Sequence, residues 1–416
     1  MRKILIVGAG QSGLHLAHGL LTHGYDVTLI TGQSSTEIRT GRPSVTQLTY
    51  PTVLGYEQEL DLDFWSSQAP HIEMMKIHVW PSGTPEPFYM PGHFDGYAIS
   101  VDRRVKMADW LEHFEDRGGK VVIHGITITD LDYLARMYDL VVIAVGHGEL
   151  GALFDTDSRR FSSARSRTLV QALVDGVTPE PGESENVGFM AGIEDAGMLS
   201  LVPFLSTQGP CHSLFIVDHH NGPLSTWPAR MPPQQQWQQM QELLRDRVPQ
   251  YYERCKDATL VDGASTLVET VVPQVRNPVG TLPSGGQVLG IADVVLTSDP
   301  FAVQGWNNST HCARSYLHSI LERGEEPFDA AFMTEMFERF WTYGHPTEQF
   351  AQMLSSFWEE EQPSHYHELF TAAATYAEVG DRFVQSLDHP PSYQDWYFDA
   401  EGARSYLAEV TARHGG

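Results

Sequence analysis

The N-terminus has the pattern of a strand, a glycine-rich turn and the start of a helix, where residues 4–13 read ILIVGAGQSG. Gly8 permits the tight turn, Gly10 lets a pyrophosphate approach the backbone, and Gly13 lets the helix pack closely on the strand. The amino end of the helix then faces the anion, because its first N–H groups have no partner within the helix. This stretch therefore predicts a dinucleotide-binding turn.

The following residues complete a βαβ unit of about thirty residues. Apolar side chains recur on one face over residues 14–21, and Gly24 ends that helix. The second strand is predicted over Asp26–Ile30. A carboxylate that binds the ribose hydroxyls usually follows it, but Thr31 stands there. A threonine hydroxyl makes a weaker bond than a carboxylate, so we expect weaker adenosine binding and a cofactor that exchanges.

Charge and composition narrow the classes of partner. The chain has 416 residues and a formal net charge of −26, which disfavours nucleic acid and anionic membrane surfaces. No apolar run approaches the ~20 residues that span a bilayer. Cys211, Cys255 and Cys312 have neither metal-site nor disulfide spacing, which fits a reducing compartment. We therefore expect a cytoplasmic protein, and the sequence leaves open whether it forms a homodimer.

Apolar strands alternate with helices in the first and last parts of the predicted sheet. A helix is predicted over Val105–Arg117, with strands over Val121–Ile123 and Leu140–Val145. A further strand is predicted over Val288–Val295 and a further helix over Gln304–Leu321. This alternation is typical of a parallel sheet covered on both faces.

The middle and the end of the chain have different patterns. Strands over Asn186–Ala191, Met198–Leu205 and Ser213–Val217 predict an antiparallel sheet, which we interpret as the floor of a substrate site, and a helix follows over Gln234–Arg247. From Phe328 onward the sequence is mostly helical and aromatic. We interpret these aromatic side chains mainly as packing.

A second motif favours FAD over NAD. The strand near residue 290 leads into Asp293, and many flavoproteins use such a carboxylate to bind the ribityl chain. Asp299-Pro300 follows, and Gln304-Gly305 opens the next helix. The N-terminal amides of that helix would face the flavin pyrimidine edge, where reduced flavin is negatively charged. The ordered set predicts a flavin site.

The predicted fold class is α/β, with a Rossmann-type FAD-binding domain, an inserted, mostly antiparallel β substrate domain and a helical C-terminal region. We predict a discontinuous FAD-binding domain at residues 1–160 and 265–325, in which residues 40–100 contribute to the substrate side. The substrate domain is predicted over residues 161–264 and the helical region over residues 326–416.

Around these motifs the sequence resembles the styrene and indole monooxygenases, which are two-component, FAD-dependent epoxidases. The resemblance extends from the N-terminus to about Leu321. Besides the two motifs, the matching positions are Gly41-Arg42, Gln47, Glu57, Leu60, Trp65, Val101–Arg104, Arg117–Lys120, Tyr138–Leu140, Val271–Arg276 and Asn307.

The resemblance implies a function. An NAD(P)H-dependent flavin reductase supplies reduced FAD, O₂ adds at flavin C4a to give a hydroperoxide, and one oxygen passes to a small apolar aromatic such as styrene or indole. This chemistry requires a dry pocket rather than a side-chain base. The predicted cofactor-binding residues are Gly8, Gly10, Gly13, Thr31, Arg42, Gln47, Arg104, Asp293, Pro300 and Gly305. The predicted flavin C4a environment is Pro300, Gln304, Gly305 and Asn307, and no metal site is predicted.

Three positions depart from the family pattern. Ala292 and Val303 stand where glycine is usual, and Trp306 is bulkier than the usual small residue. Trp306 is expected to reshape the pocket beside the isoalloxazine ring. These departures leave the substrate more open than the cofactor.

Other functions compete with this interpretation. Trp306 and the segment 218–220 are compatible with a hydroxylase or N-oxygenase of a larger biosynthetic intermediate, and the weak ribose position with a non-catalytic flavin-binding protein. A halogenase that uses Lys76 is disfavoured because the Trp-x-Trp-x-Ile-Pro signature is absent. A metal at His219-His220 is disfavoured because adjacent strand residues point to opposite faces.

Overall fold

The computed structural model describes residues 1–45, 48–81, 87–146, 148–160, 165–180, 182, 186–194, 196–359 and 361–415. The strands in these ranges are β1 (Lys3–Val7), β2 (Asp26–Thr31), β3 (Ile72–Trp80), β4 (Phe88–Ala98), β5 (Lys120–Ile123), β6 (Leu140–Ile143), β7 (Arg167–Asp175), β8 (Val187–Ile193), β9 (Gly197–Ser206), β10 (Gly209–Val217), β11 (Thr259–Leu260), β12 (Thr266–Val271), β13 (Gln274–Val275), β14 (Val279–Thr281), β15 (Gln287–Gly290) and β16 (Leu296–Thr297).

The helices in the same ranges are α1 (Gln11–Thr22), α2 (Ser35–Arg39), α3 (Pro51–Glu59), α4 (Arg103–Asp116), α5 (Ile128–Leu134), α6 (Gly148–Gly151), α7 (Pro233–Arg247), α8 (Pro249–Cys255), α9 (Gly305–Arg323), α10 (Ala330–Ser356), α11 (Ser364–Ala373), α12 (Ala377–Asp388) and α13 (Ala400–Arg413).

The first sheet has the strand order β14-β15-β6-β1-β2-β5, and every neighbouring pair except β14–β15 is parallel. Its central strand is fully buried, as Ile4, Leu5 and Ile6 show no exposed surface. Helices α1 and α9 pack together, and Gly19 leaves the space that Leu317 of α9 occupies. Strand β1 lies between β2 and β6, so the strand order changes direction beside it and opens a crevice at the carboxyl ends.

The second sheet has the order β11-β7-β10-β9-β8-β3-β4, and β12 also pairs with β7. All of its pairs are antiparallel except β3–β8. One face packs on α7 and α8 through Trp237, Met240 and Tyr251. The other face shares a core with the helices after residue 350. The predicted α/β fold, with its mostly antiparallel sheet and helical C-terminal region, is confirmed.

Two boundaries differ from the prediction. The strand predicted over Val288–Val295 ends at Gly290, and a 3₁₀ turn occupies Ala292–Val294. The chain turns there because Ala292 adopts a left-handed conformation, with φ 52°, which no strand tolerates. Strand β12 belongs to the second sheet, so the substrate-side sheet extends beyond the predicted boundary at residue 265.

No described helix is long and apolar enough to cross a membrane. Among the same residues, no group of three or more His, Cys, Asp or Glu side chains is arranged to hold a metal ion.

Candidate active site

The glycine-rich turn lies at the carboxyl ends of β1, β2 and β6. Gly8 has φ 120°, and its N–H donates to the carbonyl of Ile30 at 2.8 Å. A Cβ at Gly8 would lie 2.8 Å from the carbonyl oxygen of Ala144, and a Cβ at Gly13 would clash with the carbonyl of Gly8. The turn therefore requires glycine at both positions, as the sequence predicted.

The third glycine leaves space for a ligand. A Cβ on Gly10 would meet no atom closer than Nη2 of Arg103, at 3.9 Å. Gly10 is the N-cap of α1, and neither a capping side chain nor an acidic residue occupies the first turn of that helix. Uncapped N–H groups beside open space form an anion site. This geometry fits the pyrophosphate of a dinucleotide.

The two neighbouring arginines of α4 have different environments. Arg103 lies beside Gly10, and its guanidinium is 5.5 Å from the Trp306 ring. Arg104 is turned back onto Asp102, with Nη2 to Oδ2 at 2.7 Å, and both side chains are buried. The structure thus brings Arg103 to the glycine turn and does not bring Arg104, which the sequence favoured. Both begin α4 directly after its N-cap Asp102, a difference that the sequence pattern does not reveal.

Three other predicted cofactor residues lie along the adenosine side. Thr31 ends β2, and its hydroxyl already donates to the carbonyl of Gln33 at 3.1 Å. That local bond supports the expectation of weak ribose binding. Arg42 is exposed in the segment after α2, and Gln47 lies outside the described residues. Their roles stay predictions.

Asp293 lies where the ribityl prediction requires it. It follows β15 and is exposed. A Cβ on Gly146, just after β6, would come within 3.0 Å of the Asp293 backbone. The carboxylate therefore stands at the same strand ends as the glycine turn. Ala292, in place of the usual glycine, has a positive φ, which explains why glycine suits that position.

The predicted flavin-side residues form a tight turn before α9. Pro300 begins a 3₁₀ turn capped by Asp299, which accepts from the Phe301 N–H at 3.2 Å and from Arg167 Nε at 2.9 Å. Val303 has φ 53°, a conformation that is rare for a β-branched residue. Gly305 is the first residue of α9, and the first turn of α9 has no side-chain cap and no acidic residue. The amino end of α9 therefore remains electropositive.

Gln304 and Asn307 join this turn to other elements. Gln304 is fully buried, and its Nε2 donates to the carbonyl of Leu387 at 2.7 Å. Its Oε1 has no partner among the described residues. Asn307 Nδ2 donates to the carbonyl of Leu48 at 2.9 Å, and its Oδ1 accepts from the Tyr50 N–H. Asn307 thus fixes the segment before α3 against α9. This is a positioning contact, and a direct contact of either residue with flavin stays a prediction.

A buried ionic network lies below the glycine turn, and it includes Glu57, a position that matched the family pattern without an assigned role. Lys106 Nζ contacts both carboxylate oxygens of Glu57 at 2.7 Å, and the two side chains are almost fully buried. Gln11 Nε2 donates to Glu57 at 2.9 Å and to Thr310 at 2.9 Å. Burial alone raises the pKa of Glu57 and lowers that of Lys106, while each charge opposes the shift of the other. The network links α1, α3, α4 and α9.

An apolar cavity of about 70 Å³ lies between the second sheet and the C-terminal helices. Strands β3, β4, β8 and β9 form one wall, and Phe301 from the turn before α9 belongs to the lining. The opposite wall includes Phe350, Phe357 and Trp358. These three belong to the aromatic series that the sequence favoured as packing, whereas Phe337 of the same series does pack in the core of the first sheet.

Two side chains from the alternative hypotheses lie outside the cavity lining, Lys76 of the halogenase hypothesis and His219 of the metal-site hypothesis. Lys76 forms an ion pair with Glu180 at 2.8 Å and faces Phe189, on the sheet face that packs against α8. The His219 ring lies 5.1 Å from the Phe301 ring, and burial lowers the pKa of His219.

Known proteins share both the sequence and the fold of this chain. Residues 146–254 match the family described as the styrene monooxygenase A putative substrate-binding domain. Styrene monooxygenase StyA of Pseudomonas fluorescens is 29% identical over 320 residues, covering 75% of each chain. The chain is similar to the styrene monooxygenases. The predicted resemblance is confirmed, as is the class of oxidoreductase, a monooxygenase.

Solved structures extend the likeness over nearly the whole styrene monooxygenase-like chain. The flavin-dependent halogenase CmlS superposes with a TM-score of 0.68 at 14% identity, covering 99% of this chain and 78% of the halogenase. The p-nitrophenol 4-monooxygenase PnpA of Pseudomonas putida superposes with a TM-score of 0.64 at 12% identity, covering 94% and 99% of the two chains. At such identities the likeness concerns the fold.

Proposed function

We propose that this protein is the oxygenase component of a two-component system, which uses reduced FAD and O₂ to epoxidise or S-oxygenate an apolar aromatic such as styrene or indole. The observation that supports this most is the shared turn. Phe301 lines the apolar cavity, and four residues later α9 begins at Gly305 with an uncapped amino end. A flavin at that helix end would therefore adjoin a substrate in the cavity.

FAD is the cofactor, and the strand ends suit it. The open space at Gly10 would accommodate the pyrophosphate, Arg103 would supply a cation beside it, and Asp293 lies at the same strand ends, on the side of the ribityl hydroxyls. When bound and reduced, FAD activates O₂ and delivers one oxygen atom. The amino end of α9 would stabilise negative charge on the pyrimidine edge.

The chain contributes a dry environment rather than a proton-transfer group. The cavity lining is almost entirely apolar, with methionines on the strand wall and aromatic rings on the helical wall. Excluding water protects a reactive oxygen donor from breakdown to hydrogen peroxide. No side-chain base is needed for transfer to an alkene or a sulfur, and Pro300 and Phe301 position the substrate against the flavin.

A reductase-coupled assay tests this function. The protein is supplied with FAD, NADH and an unrelated flavin reductase, and styrene, indole and methyl phenyl sulfide are offered in turn. We expect styrene oxide, indigo or sulfoxide to form, and we expect the protein alone to oxidise no NADH. Formation of hydrogen peroxide in full yield, with no oxygenated product from any aromatic, would contradict the proposal.

A larger natural substrate is the second candidate, because the apolar lining extends over four strands, the turn before α9 and the C-terminal helices. Comparing kcat/KM for styrene with that for vinylnaphthalene distinguishes the candidates. A higher value for the fused-ring alkene favours a larger aromatic, and a higher value for styrene favours the small one.

A further inference from the structure

The apolar cavity contains one deeply buried hydroxyl that the fold does not use. Tyr397 follows the 3₁₀ turn at Pro390–Asp395 and lines the cavity, although its side chain is almost fully buried. Within the part of the chain that the structure describes, its hydroxyl makes no hydrogen bond. In ligand pockets, the few polar groups of an apolar lining orient the ligand.

The other polar groups of the lining differ from this one. His78 belongs to β3, whose alternation sends its ring to the opposite face, where Nδ1 lies 2.8 Å from the Tyr251 hydroxyl. Trp358 has an indole N–H but is partly exposed. Tyr397 therefore offers the deeply buried hydrogen-bond donor of an otherwise apolar lining.

Packing holds the Tyr397 ring in place. It stacks on Tyr366 with ring centroids 4.6 Å apart and an angle of 13°, and it meets Phe383 and Tyr393 edge-on at 5.2 and 5.5 Å. His365 Nε2 lies 2.9 Å from the Tyr397 carbonyl oxygen, which fixes the backbone. A donor whose ring and backbone are fixed loses little entropy when a ligand binds, so its bond favours binding.

We propose that the Tyr397 hydroxyl orients the substrate by donating a hydrogen bond to it, and that the substrate is an apolar aromatic with one oxygen acceptor. This inference deepens the proposed function and rests on it, because it takes the ligand of the cavity to be the substrate. Burial also raises the pKa of Tyr397 well above its ordinary value. The phenol therefore stays protonated, and the apolar lining favours an uncharged acceptor such as a ketone or an ether.

A pair of isosteric probes tests the proposal without turnover. Methyl 2-naphthyl ketone and 2-isopropenylnaphthalene differ by C=O in place of C=CH₂, and their binding is measured by calorimetry with and without oxidised FAD. We expect the ketone to bind about fivefold more tightly, the value of one net hydrogen bond. Tyr397→Phe should abolish this ratio while leaving the affinity for the alkene unchanged.

Two variants serve as controls. Tyr366→Phe removes the hydroxyl of the stacked ring, and Trp358→Phe removes the indole N–H of the lining. Both variants should keep the fivefold ratio. The proposal is overturned if wild type does not distinguish the probes, if it binds neither, or if the ratio survives in Tyr397→Phe. Because FAD binding and oxygen transfer are measured separately, a failure of the monooxygenase function leaves this result interpretable.

Discussion

At the scale of single residues, the two places where this chain replaces a family glycine both have positive φ. Ala292 has φ 52° and Val303 has φ 53°. They lie at the ribityl-side turn after β15 and at the flavin-side turn before α9, respectively. A left-handed conformation costs a residue with a Cβ about 1–2 kcal/mol. The departures that were visible in the sequence therefore act on the backbone of the two turns.

Ala292→Gly should cost less stability than Ala302→Gly. Both alanines are buried, so each change removes one buried methyl group, but only Ala292 has a positive φ. Relief of that strain offsets the loss, and we expect a difference of about 1–2 kcal/mol between the variants. Urea unfolding of both variants measures it. Equal costs would show that the turn at Ala292 is not strained.

Arg103→Ala and Arg104→Ala should separate cofactor binding from stability. Arg103 stands beside the open space at Gly10, so its loss should raise the Kd for FAD about tenfold through a lost charge-assisted bond. Loss of Arg104 leaves the buried Asp102 unpaired and should cost about 3–5 kcal/mol of stability. FAD titration and urea unfolding of each variant test this. A folded Arg104→Ala protein with the weaker FAD binding would reverse the assignment.

At the scale of elements, the site depends on contacts that join helices distant in sequence. The ion pair of Lys106 and Glu57 connects α4 with α3, and Gln11 extends it to α1 and α9. Three tryptophan rings surround the ammonium group at 5.1–5.7 Å. The glycine turn and the amino end of α9 are therefore supported by one buried network.

Lys106→Met should destabilise the protein more than Lys106→Met combined with Glu57→Gln. The single change leaves a buried carboxylate without its cation, which should cost about 3–5 kcal/mol. The double variant keeps the shape and removes both charges, so much of that cost should be recovered. Thermal unfolding of the two single variants and the double variant measures the coupling energy. Strictly additive effects would contradict a coupled pair.

Helix α10 contributes a buried acid, Glu348, whose raised pKa should make the free energy of unfolding fall as the pH rises. Burial raises the pKa of Glu348 to about 8, and the acid contacts Ser298 just before the flavin-side turn. The folded state keeps this proton up to about pH 8, whereas the unfolded chain loses it near the ordinary value. The free energy of unfolding should therefore fall from about pH 4.5 to pH 8, by up to about 1.4 kcal/mol per pH unit.

The Glu348→Gln variant should lack this contribution, so its stability relative to wild type should rise between pH 5 and pH 8. Glu335→Gln, at an exposed position on the same helix, is the matched control and should follow wild type. Urea unfolding across this pH range provides the measurement. A constant difference between Glu348→Gln and wild type would show that the acid ionises normally in the folded protein.

At the scale of the whole molecule, the sequence was sufficient for the Rossmann unit, because the glycine geometry at Gly8 and Gly13 determines its turn. It was not sufficient for the turn at Ala292–Val294, where the apolar pattern predicted a continuing strand. It did not distinguish Arg103 from Arg104, since side-chain direction at a helix start depends on the N-cap contact. The cavity could not be predicted from the sequence either. Its walls come from strands near residues 77, 90, 190 and 198 and from helices beyond residue 350, and only the tertiary fold brings them together.

The central claim is that this fold shelters reduced FAD for oxygen transfer, and one mixing experiment tests it directly. Protein with one equivalent of chemically reduced FAD is mixed anaerobically and then exposed to oxygenated buffer without NAD(P)H, while the absorbance of oxidised flavin is followed. We predict that oxidised FAD appears much later than it does with free FAD, and that an aromatic substrate is oxygenated during the delay. Reoxidation at the rate of free FAD, with hydrogen peroxide in full yield, would contradict the account.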